Sequence, residues 1–317
     1  TLALVALAPF LNGLINGTIC PAWFELFAKT VPANKRASLF AVRLVLAGIG
    51  GLIAGKVIEL ALSAYPGAVG YGILHLCCFL CMMGSFFVFC MIKETPMPPL
   101  SRNAPRTLRA SLAEVPEILR YDKNFRDYLI ARIFGCAPYA AFPFLSIHAL
   151  ETLKLPESYL GTFFMAFTVG SMAGNFISGY TGDKYGGRVP FIVATVLYIV
   201  DFELASVANS LWLFLLVFML AGFCRDAMNV ASNTLLADLP PASRRLKYFA
   251  ISNTFLAPGM LLAPLLGGLA WSLGKGHFLF PASLAILLLA VSLYLTLRIR
   301  DSRGQKLPEL FKWRERQ

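Results

Sequence analysis

The chain has 317 residues, of which 57% are hydrophobic and 14% charged, and its mean hydropathy is +0.67. Soluble domains hold about 45–50% apolar and about 25% charged residues, so this composition excludes an ordinary water-soluble enzyme, and it excludes a disordered chain. The net charge of +11 would suit a nucleic-acid binder in a soluble protein; in a membrane protein it is the Lys and Arg excess of cytoplasmic loops.

A membrane-crossing helix needs about 20 mostly apolar residues. The sequence predicts nine such spans: 2–28, 37–62, 68–92, 127–150, 157–180, 188–207, 210–238, 245–271 and 278–297. Helix breakers fall in the gaps, at Pro32, Pro66, Pro156, the Pro240–Pro241 pair, and Gly182 with Gly186 and Gly187. The gap before the fourth span is long and basic. Within it Leu112, Val115, Ile118 and Leu119 interleave with Arg109, Glu114, Glu117 and Arg120, the pattern of a helix lying at the inner membrane surface. Of the 28 Lys and Arg, 24 fall on one side of the predicted topology, Arg126 and Arg132 among them. Lys154 and Lys275 fall on the other side, and Lys56 and Arg225 inside spans. The basic side is cytoplasmic by the positive-inside rule, which puts the C-terminus inside a multi-pass protein of the inner or plasma membrane.

Two stretches repeat at an offset of 209. Residues 28–36, ending Lys35-Arg36 and followed by Phe40-Ala41, match residues 237–245, ending Arg244-Arg245 and followed by Phe249-Ala250. Each joins an outside-to-inside span to an inside-to-outside span, and Gly50 falls on Gly259. Parallel halves of this kind are a transporter architecture.

The run Gly179-Tyr180-Thr181-Gly182-Asp183-Lys184-Tyr185-Gly186-Gly187-Arg188 resembles the cytoplasmic loop signature of the major facilitator superfamily, Gly-x-x-x-Asp-basic-x-Gly-basic-basic. Gly187 departs from it by standing where a basic residue is usual. Pro21-Ala22-Trp23 and the turn Val31-Pro32 to Arg36 resemble that family's fourth-to-fifth helix connection, and Arg120–Arg126 resembles its run into the seventh helix. The resemblance covers essentially the whole chain. It implies an all-α membrane protein of the major facilitator fold, with nine transmembrane helices that correspond to helices four to twelve of twelve, and hence N-terminally incomplete. The implied domains are a partial N-terminal half of three helices (1–93), a cytoplasmic linker (94–126), a six-helix C-terminal half (127–299) and a basic cytoplasmic tail (300–317). Gly179, Asp183, Lys184, Gly186 and Arg188 are then the conformational gate. Asp183 would meet the start of the span at Ala37, where an anion at a helix N-terminus gains roughly 0.3–1 kcal/mol in only one of two rocked states.

Ionisable groups at bilayer depth cost about 2.5–3.5 kcal/mol, so each asks for a reason. Arg225 and Asp226 lie mid-span, and their repeat counterparts are Asn16 and Gly17. Arg225 is the candidate contact for an anionic or hydrogen-bonding solute group, and Asp226 for a partner or proton carrier. Adjacent helix residues point about 100° apart, so the two cannot both face one cavity. The competing reading is a buried pair with no solute contact. Asn16 and Asn229 complete the candidate solute site, although intramembrane amides more often join helices. Lys56 and Glu59 are spaced to pair on one helix face, Asp201 and Glu203 are expected at the outer interface, and His148 with Glu151 at a solvated helix end. Cys78 and Cys81 with His75 make an incomplete metal set, so no metal and no other cofactor is expected. Clustered catalytic side chains are lacking too, and the chain is not expected to be an enzyme. The expected function is secondary active transport of a small solute by alternating access, with the lipid bilayer and a coupling proton as further partners and no role for nucleic acid. The alternative is a non-transporting receptor or scaffold on the same fold.

Overall fold

A computed structural model describes residues 36–92, 115–240 and 245–299. The predicted span 2–28, with Asn16 and the first copy of the repeated turn, lies outside the described residues, as do most of the linker and the basic tail. Every regular element among the described residues is a helix: α1 Arg36–Ala64, α2 Ala68–Cys90, α3 Val115–Tyr121, α4 Lys123–Phe134, α5 Pro138–Leu153, α6 Tyr159–Tyr185, α7 Arg188–Val207, α8 Leu211–Asp238, α9 Arg245–Leu273 and α10 Leu279–Arg298. Eight segments among the described residues are long and apolar enough to cross a membrane. The 209-residue offset carries into the bounds of one pair of helices. Helices α1 and α9 begin on the matched arginines, Arg36 and Arg245, and each is 29 residues long.

The chain forms two compact units, one of Thr1–Ala47 with Ile73–Arg106, the other of Gly48–Gly72 with Thr107–Gln317. The first unit takes α2 from Ile73 onward, and large side chains there, Phe79, Met82, Phe86 and Phe87 among them, are exposed. In the second unit α8 packs most extensively along α6 and next on α7, while α10 lies against α7 and α4, and α9 against α5. The main core gathers Phe163, Phe191, Phe202, Phe214 and Phe218 around α8. A second cluster, where α4 begins, joins Phe125, Tyr128, Leu235, Leu236 and Tyr248. There Asp122 accepts a hydrogen bond from the Phe125 amide at 2.9 Å, capping α4, and another from the Tyr248 hydroxyl at 3.0 Å.

Glycines set the closest helix contacts. A Cβ added at Gly170 would strike the Met219 carbonyl, at Gly174 the Phe223 carbonyl, and at Gly222 the Phe167 carbonyl, so α6 and α8 touch backbone to backbone. Helix α1 crosses α6 in the same way, with Gly55 against the Gly161 carbonyl and Gly161 against the Gly55 carbonyl.

The fourth predicted span, 127–150, is two helices rather than one. Asp122 starts α4 earlier than expected, and the helix stops at Phe134. Residue 138 is proline and brings no amide for the Phe134 carbonyl. The chain tightens instead, with Cys136 N–H on Ile133 O at 3.1 Å and Ala137 N–H on Phe134 O at 3.0 Å, before α5 resumes. The inner-surface helix expected around 108–132 is, in its described part, the short α3 followed directly by α4.

Candidate functional site

The α4–α5 break opens onto a cavity of about 440 Å³ inside the second unit. Arg132 and Tyr139 reach it from either side of the break, Phe163 and Phe167 from α6, Tyr198 from α7 and Arg225 from α8. Arg225 is the fifteenth of the 28 residues of α8. On the same stripe Asn229 and Ser232 also line the cavity, one and two turns on. The Arg225 guanidinium carbon sits 5.6 Å from the centroid of the Phe167 ring, a cation–π distance.

Asp226 faces elsewhere. Its Oδ2 accepts from Asn175 Nδ2 at 2.7 Å and from the Ser171 hydroxyl, both on α6. Consecutive residues thus separate as helix geometry requires, with the cation in the cavity and the carboxylate at the α6–α8 seam.

By position Arg132 falls among the cytoplasmic charges, but its side chain lines the cavity beside Tyr128, and its Nε is buried with no hydrogen-bond partner. The missed signal was the helix start. Asp122 as N-cap puts residue 132 about 15 Å along the axis at 1.5 Å per residue. Asp201 also departs from expectation. It is 0% exposed inside the core, and neither carboxylate oxygen has a hydrogen-bond partner. His148 is clamped rather than solvated, with Nε2 3.2 Å from Ala205 O and its ring stacked on Phe278 at 4.8 Å. Lys56 and Glu59 do pair, at 2.6 Å.

The loop signature occupies the α6–α7 corner. Asp183 and Lys184 fall in the last turn of α6, and Gly186 ends the helix with φ +82, a conformation that favours glycine. Arg188 opens α7 and donates to the Leu297 carbonyl at 2.7 Å, closing a free acceptor at the end of α10. Gly187 has a packing reason to be glycine, since a Cβ there would strike the Leu235 amide and the Ala231 carbonyl of α8. Gly187→Arg, which restores the usual basic residue, is therefore expected to destabilise the protein by about 2–3 kcal/mol, read as a lower melting temperature in detergent.

A family model described as Major Facilitator Superfamily matches residues 129–315, more than half of the chain. The chain belongs to the Major Facilitator Superfamily. Among the relatives of this major facilitator protein is a Na(+), Li(+), K(+)/H(+) antiporter of Planococcus maritimus, 27% identical over 205 residues, 63% of this chain and 47% of the relative. An uncharacterized MFS-type transporter, YqjV, of Bacillus subtilis is 29% identical over 140 residues, 44% of this chain and 34% of the relative. The class E tetracycline resistance protein of Escherichia coli is 28% identical over 118 residues, 37% of this chain and 29% of the relative. The chain thus spans less than half the length of these relatives. A bacterial homolog of the human lysosomal transporter Spinster, solved inward-facing and unoccupied, aligns with 86% of this major facilitator chain and 70% of its own, at 12% identity and a TM-score of 0.48.

Proposed function

We propose that the protein is a secondary transporter that moves a small solute across the membrane by alternating access, with the α8-lined cavity as part of its solute site. The observation that carries this reading is the cavity itself, about 440 Å³, reached by the mid-helix Arg225 and Asn229. That volume is in the range of small-ligand sites, roughly 300–1,000 Å³, and midplane binding near helix interruptions is how such carriers hold solutes. Asn16, the repeat counterpart of Arg225, is the solute contact proposed from the first half of the chain. The Gly179–Arg188 corner would gate the motion, with Asp183 biasing one state, and the C-terminus would be cytoplasmic. The proton named in the antiporter relative supports a coupling proton here, with Asp226 as its carrier.

The test is accessibility from each side. With the seven native cysteines replaced by alanine, because Cys136 itself lines the cavity, a membrane-impermeant maleimide is expected to label Asn229→Cys in right-side-out vesicles and also in inverted vesicles made from cells expressing the protein, because the cavity opens alternately. Labelling from one side only, under every condition tried, would instead indicate a receptor or scaffold fixed in one state.

A further inference from the structure

The lining of the cavity says what class of solute it takes. Two of its residues, Arg132 and Arg225, are cations, and none is an acid. The nearby carboxylates are not on its wall. Asp226 is engaged with Ser171 and Asn175 on α6, and Asp201 is sealed in the core with no exposed surface. Neither arginine has an ion-pair partner among the described residues, and the Arg132 Nε has no hydrogen-bond partner at all. Two unpaired guanidiniums at membrane depth are expensive, and a planar fork of N–H donors is matched by carboxylate, sulfonate or phosphate oxygens. The rest of the wall is aromatic. Phe142, Phe163, Phe164, Phe167, Phe191 and Phe218 all line it. Phe163 stacks on Phe218 at 4.5 Å between centroids, and Phe142 lies 5.3 Å from Phe167. Such a surface receives a flat apolar body.

We propose that the solute is an amphipathic organic anion, its acidic group held by Arg132 and Arg225 and its ring or other flat apolar part packed among the phenylalanines. This rests on reading the cavity as the solute site. It separates this chain from carriers of metal cations, whose ions would meet two positive charges and no oxygen ligand of the opposite sign on this wall.

The experiment is equilibrium titration calorimetry on the full-length protein in detergent with two probes that share one ring system, naphthalene-2-sulfonate and 2-naphthylmethylammonium. The sulfonate is expected to bind and the ammonium not to. Arg225→Gln is expected to weaken sulfonate binding at least tenfold, as is Arg132→Gln, while Arg225→Lys recovers part of the loss. Melting curves of each variant separate lost binding from lost fold, and the lysine variant keeps the question open to test if a glutamine variant does not fold. Binding of the ammonium as tightly as the sulfonate, no binding of the sulfonate, or sulfonate binding indifferent to both arginines would each overturn the proposal. The transport reading stands or falls separately. Two-sided labelling of Asn229→Cys without sulfonate binding refutes only the solute class. Arginine-dependent sulfonate binding with one-sided labelling refutes only the transport.

Discussion

Gly222→Val is expected to leave no folded protein. The α6–α8 seam is the most extensive helix contact in the described bundle, and at Gly222 an added Cβ would meet the Phe167 carbonyl, the Phe167 carbonyl carbon and the Ser171 amide nitrogen. All three are backbone atoms, so no side chain can rotate to make room. The helices would have to separate along the seam, with loss of the contacts made by Gly170 and Gly174 on either side. Overpacking a core usually costs about 1–3 kcal/mol, and more where nothing yields. A shift beyond that range is comparable with much of the total stability of a domain, about 5–15 kcal/mol. The measurement is size-exclusion chromatography of detergent extracts, where the variant should lose its monodisperse peak. Gly179→Ala is the matched control. A Cβ there meets nothing within 4 Å, and alanine in a helix interior should hold or raise stability by about 0.5–1 kcal/mol. A normal peak from Gly222→Val would mean that the seam can open without cost.

The second large effect is at Asp226, where two substitutions should part company. Asp226→Asn keeps an oxygen that can accept from Asn175 or Ser171, so the fold is expected to survive with a loss of about 1 kcal/mol. Asp226→Leu leaves the amide of one and the hydroxyl of the other without their acceptor, and a loss of about 2–3 kcal/mol is expected. Melting temperatures in detergent read both. If Asp226 carries the coupling proton, the asparagine variant should also fail to acidify or alkalinise vesicles when solute is added, although it is folded. A folded asparagine variant with full proton movement would place coupling elsewhere, and a leucine variant that melts like the native protein would show the α6 hydrogen bonds to be worth little.

The described spans and the matching bounds of α1 and α9 were legible because both rest on long-range composition. Twenty-residue apolar runs and a 209-residue offset survive errors of a few residues, and the matched starts at Arg36 and Arg245 come from the same Pro-basic turn chemistry. The break in the fourth span was written in the chain as Gly135 three residues before Pro138, but its apolar surroundings hid it. Side-chain direction was harder to read. A membrane helix is apolar on its exposed face as well as in the core, as the exposed Val193, Val196 and Val200 of α7 show, so nothing local distinguished Asp201 in the core from Glu203 two residues on. Arg132 was assigned by its nearness to other basic residues, while its depth depended on where α4 begins. That start was fixed by one carboxylate, Asp122, whose hydrogen bonds to Phe125 and Tyr248 join residues more than a hundred positions apart.

The glycine seam also orders events on the ribosome. Helix α6 makes its principal contact with α8 rather than with α7, its neighbour in sequence. From Tyr185 to Asp238 the ribosome must add 53 residues before α8 is complete, about 3–10 s at 5–20 residues per second. Through that interval the notches at Gly170 and Gly174 face lipid or the insertion machinery. The loop-signature corner joins α6 to α7, so it is translated before α8, on which Gly187 rests, has been made.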